Sequence, residues 1–209
     1  MVGIPLEQLW AFVLTCFVIE STPGPNMAFL AIVSATNGRR YGYATTLGIT
    51  LGLGIVGLAA AAGLAGIISN SPVLYQALRV AGVGYMLYLA WESWQEAKEI
   101  SPGNAPAQQP LRHFFRHGLL VNLLNPKAAI FYIAILPTFI TPTTDIASQA
   151  IFLTVLSVLI ATLMHILIVT LSGLFQPFLV DPILNRRARK FMAIILVLIA
   201  VWFGWRVGQ

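Results

Sequence analysis

Between Ala44 and Ile68 the chain carries no charged side chain, and comparable apolar runs recur along its length. A bilayer's hydrocarbon core, about 30 Å thick, is crossed by roughly 20 apolar helical residues. Runs of this kind point to helices that cross a membrane, because water would not tolerate the apolar surface they leave outside a core. The composition agrees: 58% of the 209 residues are hydrophobic and 9% are charged, against roughly 25% charged in soluble domains. The net charge of +5 does not call for nucleic acid, since the cations lie between the apolar runs, where they set topology. The single Cys16 excludes an internal disulfide or a CxxC redox pair. Residues 1–6 hold no Lys or Arg and no A-x-A site follows, so the first apolar stretch reads as a retained span rather than a signal peptide.

The expected fold is an all-α membrane protein with six transmembrane helices. The spans run over about Leu6–Ala35, Ala44–Ile68, Val73–Trp91, Gly118–Ile140, Ile146–Leu174 and Phe191–Trp205. They form a single transmembrane domain over 1–209. A polar Pro/Gly/Gln-rich linker at 92–117 separates three spans in 1–91 from three in 118–209. Arg39 and Arg40, then Lys98, Arg112 and Arg116, then Arg186, Arg187, Arg189 and Lys190 fall in alternate loops. The positive-inside rule makes those loops, the linker included, cytoplasmic and puts both termini outside. Trp91, Trp94, Trp202 and Trp205 fit interfacial anchors. The second span is rich in small residues, with Gly48 and Gly52 forming a GxxxG. Such a face serves close helix packing, within the chain or in a homodimer.

Two spans are broken. Residues 19–30 read IESTPGPNMAFL. Pro23 and Pro25 lack an N–H and block the carbonyls of Ile19 and Ser21. Non-helical backbone at membrane depth must line a cavity or be buried in protein. Pro25 suits the first position of a new helix starting near Asn26. That helix end offers free N–H groups and a partial positive charge to a carboxylate. The second half repeats the device: Asn125 caps, Pro126 takes the first helical position, Lys127 follows, and the carbonyl of Asn122 is freed. With three spans per half, the first and fourth spans run in opposite directions. The expectation is a 3+3 inverted repeat with discontinuous helices 1 and 4 and a site between them at the midplane.

Glu20 is the one acidic residue well inside a span, and Lys127 the one cation near a predicted midplane. A charge at that depth costs about 2.5–3.5 kcal/mol or more, so it faces a partner or a cavity. In one reading Glu20 and Lys127 are a buried pair that only holds the halves together. In the other, Glu20 meets a substrate ammonium or a proton, and Lys127 or the half-helix ends meet its carboxylate. Arg79 can snorkel outward. His165 reads as a packing residue before a proton relay, and His113 and His117 as solvated linker residues.

These residues resemble a known family. ESTPGPNMAFL, then NGRRYGYATTLGITLG, then NLLNPKAAIFYIAILPTF after a polar linker are similar to the lysine/homoserine-threonine exporter (LysE/Rht) family of bacterial amino-acid efflux transporters. The resemblance covers nearly the whole chain. It implies an inner-membrane exporter of neutral or basic amino acids or close derivatives, an antiporter driven by the proton motive force. It implies that Glu20, Thr22, Pro23, Gly24, Pro25, Asn26, Asn122, Asn125, Pro126 and Lys127 line the path, and that Gly38, Arg39 and Gly42 belong to a basic cytoplasmic loop. It leaves the amino acid unspecified.

The expected partners are therefore an amino acid, protons and the bilayer, with no cofactor, metal or nucleic acid. Export of another small solute or a cation such as a heavy metal is the alternative within transport; one Cys and three His are few soft ligands for it. No H-E-x-x-H or G-x-S-x-G is present, so hydrolytic enzyme chemistry lacks its parts. A membrane scaffold or assembly factor would need neither an intramembrane Glu20 nor matched helix breaks.

Overall fold

The structure is a computed structural model and describes residues 4–21, 24–64, 72–99, 109–141, 145–175 and 181–206. These residues form helices, with no strand among them. Helix α1 is Leu6–Ser21 and α2 is Pro25–Asn37; together they make the first broken span, bent by 57°. Helix α3 is Arg39–Ala59 and continues through a wider π-type turn at Ala60–Leu64. Helix α4 is Pro72–Glu99, α5 is Leu111–Leu123 and α6 is Pro126–Ile130. α6 runs on as a π-type turn over Phe131–Ile135 and a 3-10 turn over Leu136–Phe139. Pro137 accounts for that irregularity, since it cannot donate to the carbonyl four residues back. α5 and α6 make the second broken span, bent by 51°. Helix α7 is Ile146–Ser172 and α8 is Pro182–Arg206.

Arg39–Gly63 and Ile146–Ser172 are each long and apolar enough to cross a membrane, and the two bent pairs bring the number to four. α4 and α8 have 28 and 25 residues, about 42 and 37 Å at 1.5 Å per residue, which is length enough for two more. Burial follows the logic of lipid rather than water. On α7, Gln149, Thr154, Ser157, Ala161 and His165 face inward, whereas Ile151, Val155, Leu159 and Leu163 are exposed. Polar groups inside and aliphatic groups outside suit a chain whose solvent is hydrocarbon. The chain is a multi-pass helical membrane protein.

Four expected boundaries move. α3 begins at Arg39 rather than Ala44, α4 runs to Glu99 rather than Trp91, α5 begins at Leu111 rather than Gly118, and α8 begins at Pro182 rather than Phe191, so that Arg186, Arg187, Arg189 and Lys190 lie on a helix and not in a loop. At α3 and α5 the reason is the same: a helix begins where its backbone is broken, not where the membrane begins. Gly38 (φ 105°) makes the whole connection between α2 and α3, a conformation open to glycine. Pro110 precedes the first turn of α5. Helices therefore occupy 92–99 and 111–117 of the expected linker, and 100–108 lie outside the described residues.

Four glycines of α3, Gly42, Gly48, Gly52 and Gly57, pack inside the chain. A Cβ on Gly48 would stand 2.0 Å from the Phe115 carbonyl oxygen, and one on Gly118 would stand 2.2 Å from that of Thr45. α3 and α5 thus touch backbone to backbone, which only small residues allow. α4 packs along α8, and this pair meets the rest chiefly through α2. One apolar cluster joins Phe12, Leu30, Ile49, Leu53, Phe131, Tyr132 and Leu153; a second joins Phe29 and Val33 of α2 with Met86, Leu89 and Leu196. The side chains of Arg79, Trp202 and Trp205 lie outside the described residues.

Candidate functional site

The two breaks meet. One pocket is lined by Ile19, Glu20, Gly24, Asn26 and Met27 from the first broken span and by Asn125, Lys127, Ala128 and Phe131 from the second, with Leu53 of α3 closing it. Local chemistry builds each wall. Gly24 is the extended residue before α2 and Pro25 opens that helix, with no side chain among the described residues capping its first turn. The backbone amides of Asn26 and Met27, the first donors of that turn, therefore have no partner within the helix and lie at the pocket wall. Opposite, the Asn125 side chain accepts from the Lys127 backbone N–H at 3.0 Å, the cap expected from its place before Pro126. The carbonyl of Asn122, which Pro126 cannot serve, instead accepts from the Asn125 N–H at 3.0 Å.

Asn122 does not line the pocket. It lies behind it, fully buried, and its Oδ1 accepts from Asn26 Nδ2 at 2.9 Å. This is a direct hydrogen bond between the two halves. Gly52 makes room for it, since a Cβ there would stand 2.8 Å from Asn122 Nδ2. Asn26 Oδ1 and Asn122 Nδ2 have no partner among the described residues. Buried polar atoms left this way are uncommon and mark places that water or a ligand reaches.

Glu20 and Lys127 line the same pocket and feel one another electrostatically. A third group stands beside them. His165 of α7 is fully buried, and its Nε2 lies 3.6 Å from Glu20 Oε2. Neither of its ring nitrogens has a hydrogen-bond partner among the described residues. The expectation that His165 is a satisfied packing residue is thus corrected: it packs, unsatisfied, against the pocket's carboxylate. Its signal in the sequence was its place on the inward face of α7, in line with Thr154, Ser157 and Ala161. Cys16, one turn before Glu20, is buried and does not line the pocket.

Other expected site residues lie elsewhere. Thr22 and Pro23 lie outside the described residues, as does the side chain of Pro126. Gly38, Arg39 and Gly42 form no loop. Gly38 is the one-residue turn, and Arg39 opens α3 and donates from Nε to the Thr170 carbonyl at 3.2 Å, a cation over the C-terminal end of α7. Gly42 is a packing contact, since a Cβ there would stand 2.2 Å from Ser34 Oγ. His113 and His117 are not solvated linker residues. They lie on α5, partly buried, against Glu92 of α4.

Known proteins resemble the chain over most of its length. It is 31% identical over 147 residues, 68% of each chain, to an uncharacterized membrane protein of Pseudomonas aeruginosa. It is 30% identical over 168 residues, 79% of each chain, to a leucine efflux protein of Salmonella typhi. It is 29% identical over 154 residues, 74% of this chain and 75% of the relative, to a homoserine/homoserine lactone efflux protein of the same organism. No solved structure matches. The model of the LysE type translocators matches residues 17–206, from just before the first break to the end of α8. A helical membrane chain with both breaks inside that match is a transporter rather than an enzyme, and it belongs to the LysE type translocator family.

Proposed function

We propose that this chain exports neutral amino acids, or close derivatives, across the bacterial inner membrane in exchange for protons, by alternating access. The observation that carries the reading is the pocket shared by the two helix breaks, which holds an acid, a base and a helix end that no described side chain caps. Those three features suit a zwitterion. Its carboxylate would meet Lys127 and the first amides of α2, and its ammonium would meet Glu20. Ile19, Met27, Leu53 and Phe131 supply an apolar wall for its side chain, in keeping with relatives named for leucine and homoserine efflux.

Glu20 and His165 supply the proton. A carboxylate 3.6 Å from an imidazole nitrogen is a pair in which one proton can be held and passed on. Binding of a zwitterion and binding of a proton would then compete at Glu20, and that competition is what exchange requires.

The 3+3 inverted repeat is part of the proposal. Helix pairing supports it: under exchange of halves, α3 against α5 corresponds to α7 against α1, and α2 against α8 corresponds to α6 against α4, and all four contacts occur. α3–α7 and α4–α8 map onto themselves. The basic end, where Arg39 meets α7 and Lys190 lies over Trp94 at 5.2 Å, is the cytoplasmic end by the positive-inside rule; both termini are then outside.

The test is efflux of labelled amino acids, one at a time, from cells at matched expression. Wild type should export a neutral amino acid, a protonophore should abolish that export, and Glu20→Gln should reduce it to a small remainder. Undiminished efflux by Glu20→Gln would end the proposed role of Glu20. A wild type that exports no amino acid would end the substrate assignment.

A further inference from the structure

We propose that Glu92, His113 and His117 form a binding site for a divalent transition-metal ion of the zinc class at the basic end of the bundle, clamping α4 to α5. The three residues come from either side of the segment that joins the halves, and folding brings one ligand atom of each within 4.8 Å of the others. His113 and His117 are four residues apart on α5, so both imidazoles point from one face of the helix. His113 Nε2 lies 3.8 Å from Glu92 Oε1, and His117 Nδ1 lies 3.5 Å from Glu92 Oε2. Donor atoms around a tetrahedral zinc stand about 3.4 Å apart, given zinc–nitrogen bonds of about 2.0–2.1 Å. Bringing three donors that lie within 4.8 Å of one another to that spacing asks for side-chain movements of up to about 1 Å, within the reach of rotation about the His and Glu side-chain bonds.

The chemistry and the surroundings agree. Two neutral imidazoles and one carboxylate form a borderline ligand set, suited to zinc, nickel or cobalt rather than to magnesium or calcium. Three protein ligands leave a fourth position for water. All three side chains are partly buried, between 13% and 25% exposed, which lets an ion enter while raising the local field. The site also has a surrounding layer: Tyr88 is close enough to feel the charge of Glu92, and the ring of Phe29 stacks on His117 at 6.3 Å. Outer groups of this kind orient ligands and strengthen metal binding.

The clamp has a structural consequence. α4 and α5 share few other contacts, and α5 also carries Asn122, hydrogen-bonded to Asn26 at the pocket. An ion at Glu92 would therefore tie the first half of the second broken span to α4.

The experiment uses the full chain in detergent with an affinity tag free of histidine, so that the chain's own three histidines are the only ones present. Zinc is titrated against a chromophoric chelator, and the melting temperature is read with and without zinc. Wild type should bind one zinc saturably with a Kd of about 10 µM or tighter, and the ion should raise its melting temperature. Glu92→Gln, His113→Ala and His117→Ala should each weaken binding at least about tenfold and remove the thermal shift. Glu92→Gln preserves size, so it carries the test if a histidine variant does not fold. The X-ray absorption edge of the zinc-loaded protein should show a nitrogen and oxygen shell with imidazole scattering. No saturable binding up to about 100 µM, binding undiminished in Glu92→Gln, or sulfur in the shell would each overturn the site.

Discussion

The Nε2 of His165 stands 3.6 Å from Oε2 of Glu20, across the interface between α7 and the first helix break. If the two handle one proton between them, replacing either removes the same function. Glu20→Gln and His165→Gln should each cut efflux at least about tenfold, and the double variant should be little worse than the poorer single one. Such non-additivity is what contacting residues of one network show. His165→Gln should also flatten the pH dependence of whatever efflux remains. Measuring efflux of both singles and the double between pH 5.5 and 8 checks this, and additive losses with an unchanged pH profile would refute it.

The buried amide pair makes a separate prediction. Asn26 and Asn122 join the two halves behind the pocket through one hydrogen bond of 2.9 Å. Asn122→Leu leaves the Asn26 amide buried without its partner, which costs about 1–3 kcal/mol. It also adds bulk against Gly52, whose Cβ position is already 2.8 Å from the amide nitrogen. The variant should therefore melt at a lower temperature than wild type. Asn122→Ala, which removes the bulk and keeps only the lost hydrogen bond, should fall between the two. A thermal series of the three proteins in one detergent decides it.

The breaks were legible because proline chemistry is local. Pro25 and Pro126 open helices in the structure as they do on paper, and Asn125 caps the turn its position requires. The spans were legible from hydropathy. The helix ends were not. Arg112, His113, Arg116 and His117 read as loop because they are charged or polar. In the structure they continue a helix into the aqueous layer, where charge is no obstacle and no glycine or proline intervenes before Pro110. The same misreading hid the Glu92 cluster. Glu92 stands far from the two histidines in sequence and meets them only because α4 and α5 both extend beyond the apolar region. His165 failed for a different reason: its place on the inward face is local, but the carboxylate it faces lies on another helix.

Gly38 carries the sharpest backbone requirement. With φ at 105° and ψ at 164° it turns the chain from α2 into α3 in one residue, and its N–H closes on the Ser34 carbonyl at 3.1 Å. That region of backbone space is essentially confined to glycine, and another residue held there costs about 1–3 kcal/mol. Gly38→Ala should lower the melting temperature and loosen the Arg39 contact with the end of α7. Gly38→Asn should do no better, because the angles lie outside the left-handed helical well that asparagine tolerates. Melting curves of both variants test the claim, and a wild-type melting temperature in either would contradict it.

The glycines of α3 separate packing from propensity. Gly48 faces the backbone of α5, where a Cβ would stand 2.0 Å from a carbonyl oxygen and 2.7 Å from the Leu119 nitrogen. Neither atom can swing aside as a side chain would, so Gly48→Ala must part the two helices. Overpacking of this kind costs typically about 1–3 kcal/mol. Gly54 lies on the same helix with nothing within 4 Å of its Cβ position. There, alanine replaces a residue that is less favourable within a helix by about 0.5–1 kcal/mol, so Gly54→Ala should be neutral or slightly stabilising. Gly118→Ala, on the facing helix at 2.2 Å from the Thr45 carbonyl oxygen, should behave like Gly48→Ala. Melting temperatures of the three variants should therefore split two against one. If Gly48→Ala and Gly118→Ala melted like wild type, α3 and α5 could not be in backbone contact, and the route by which α3 closes the pocket through Leu53 would have to be redrawn.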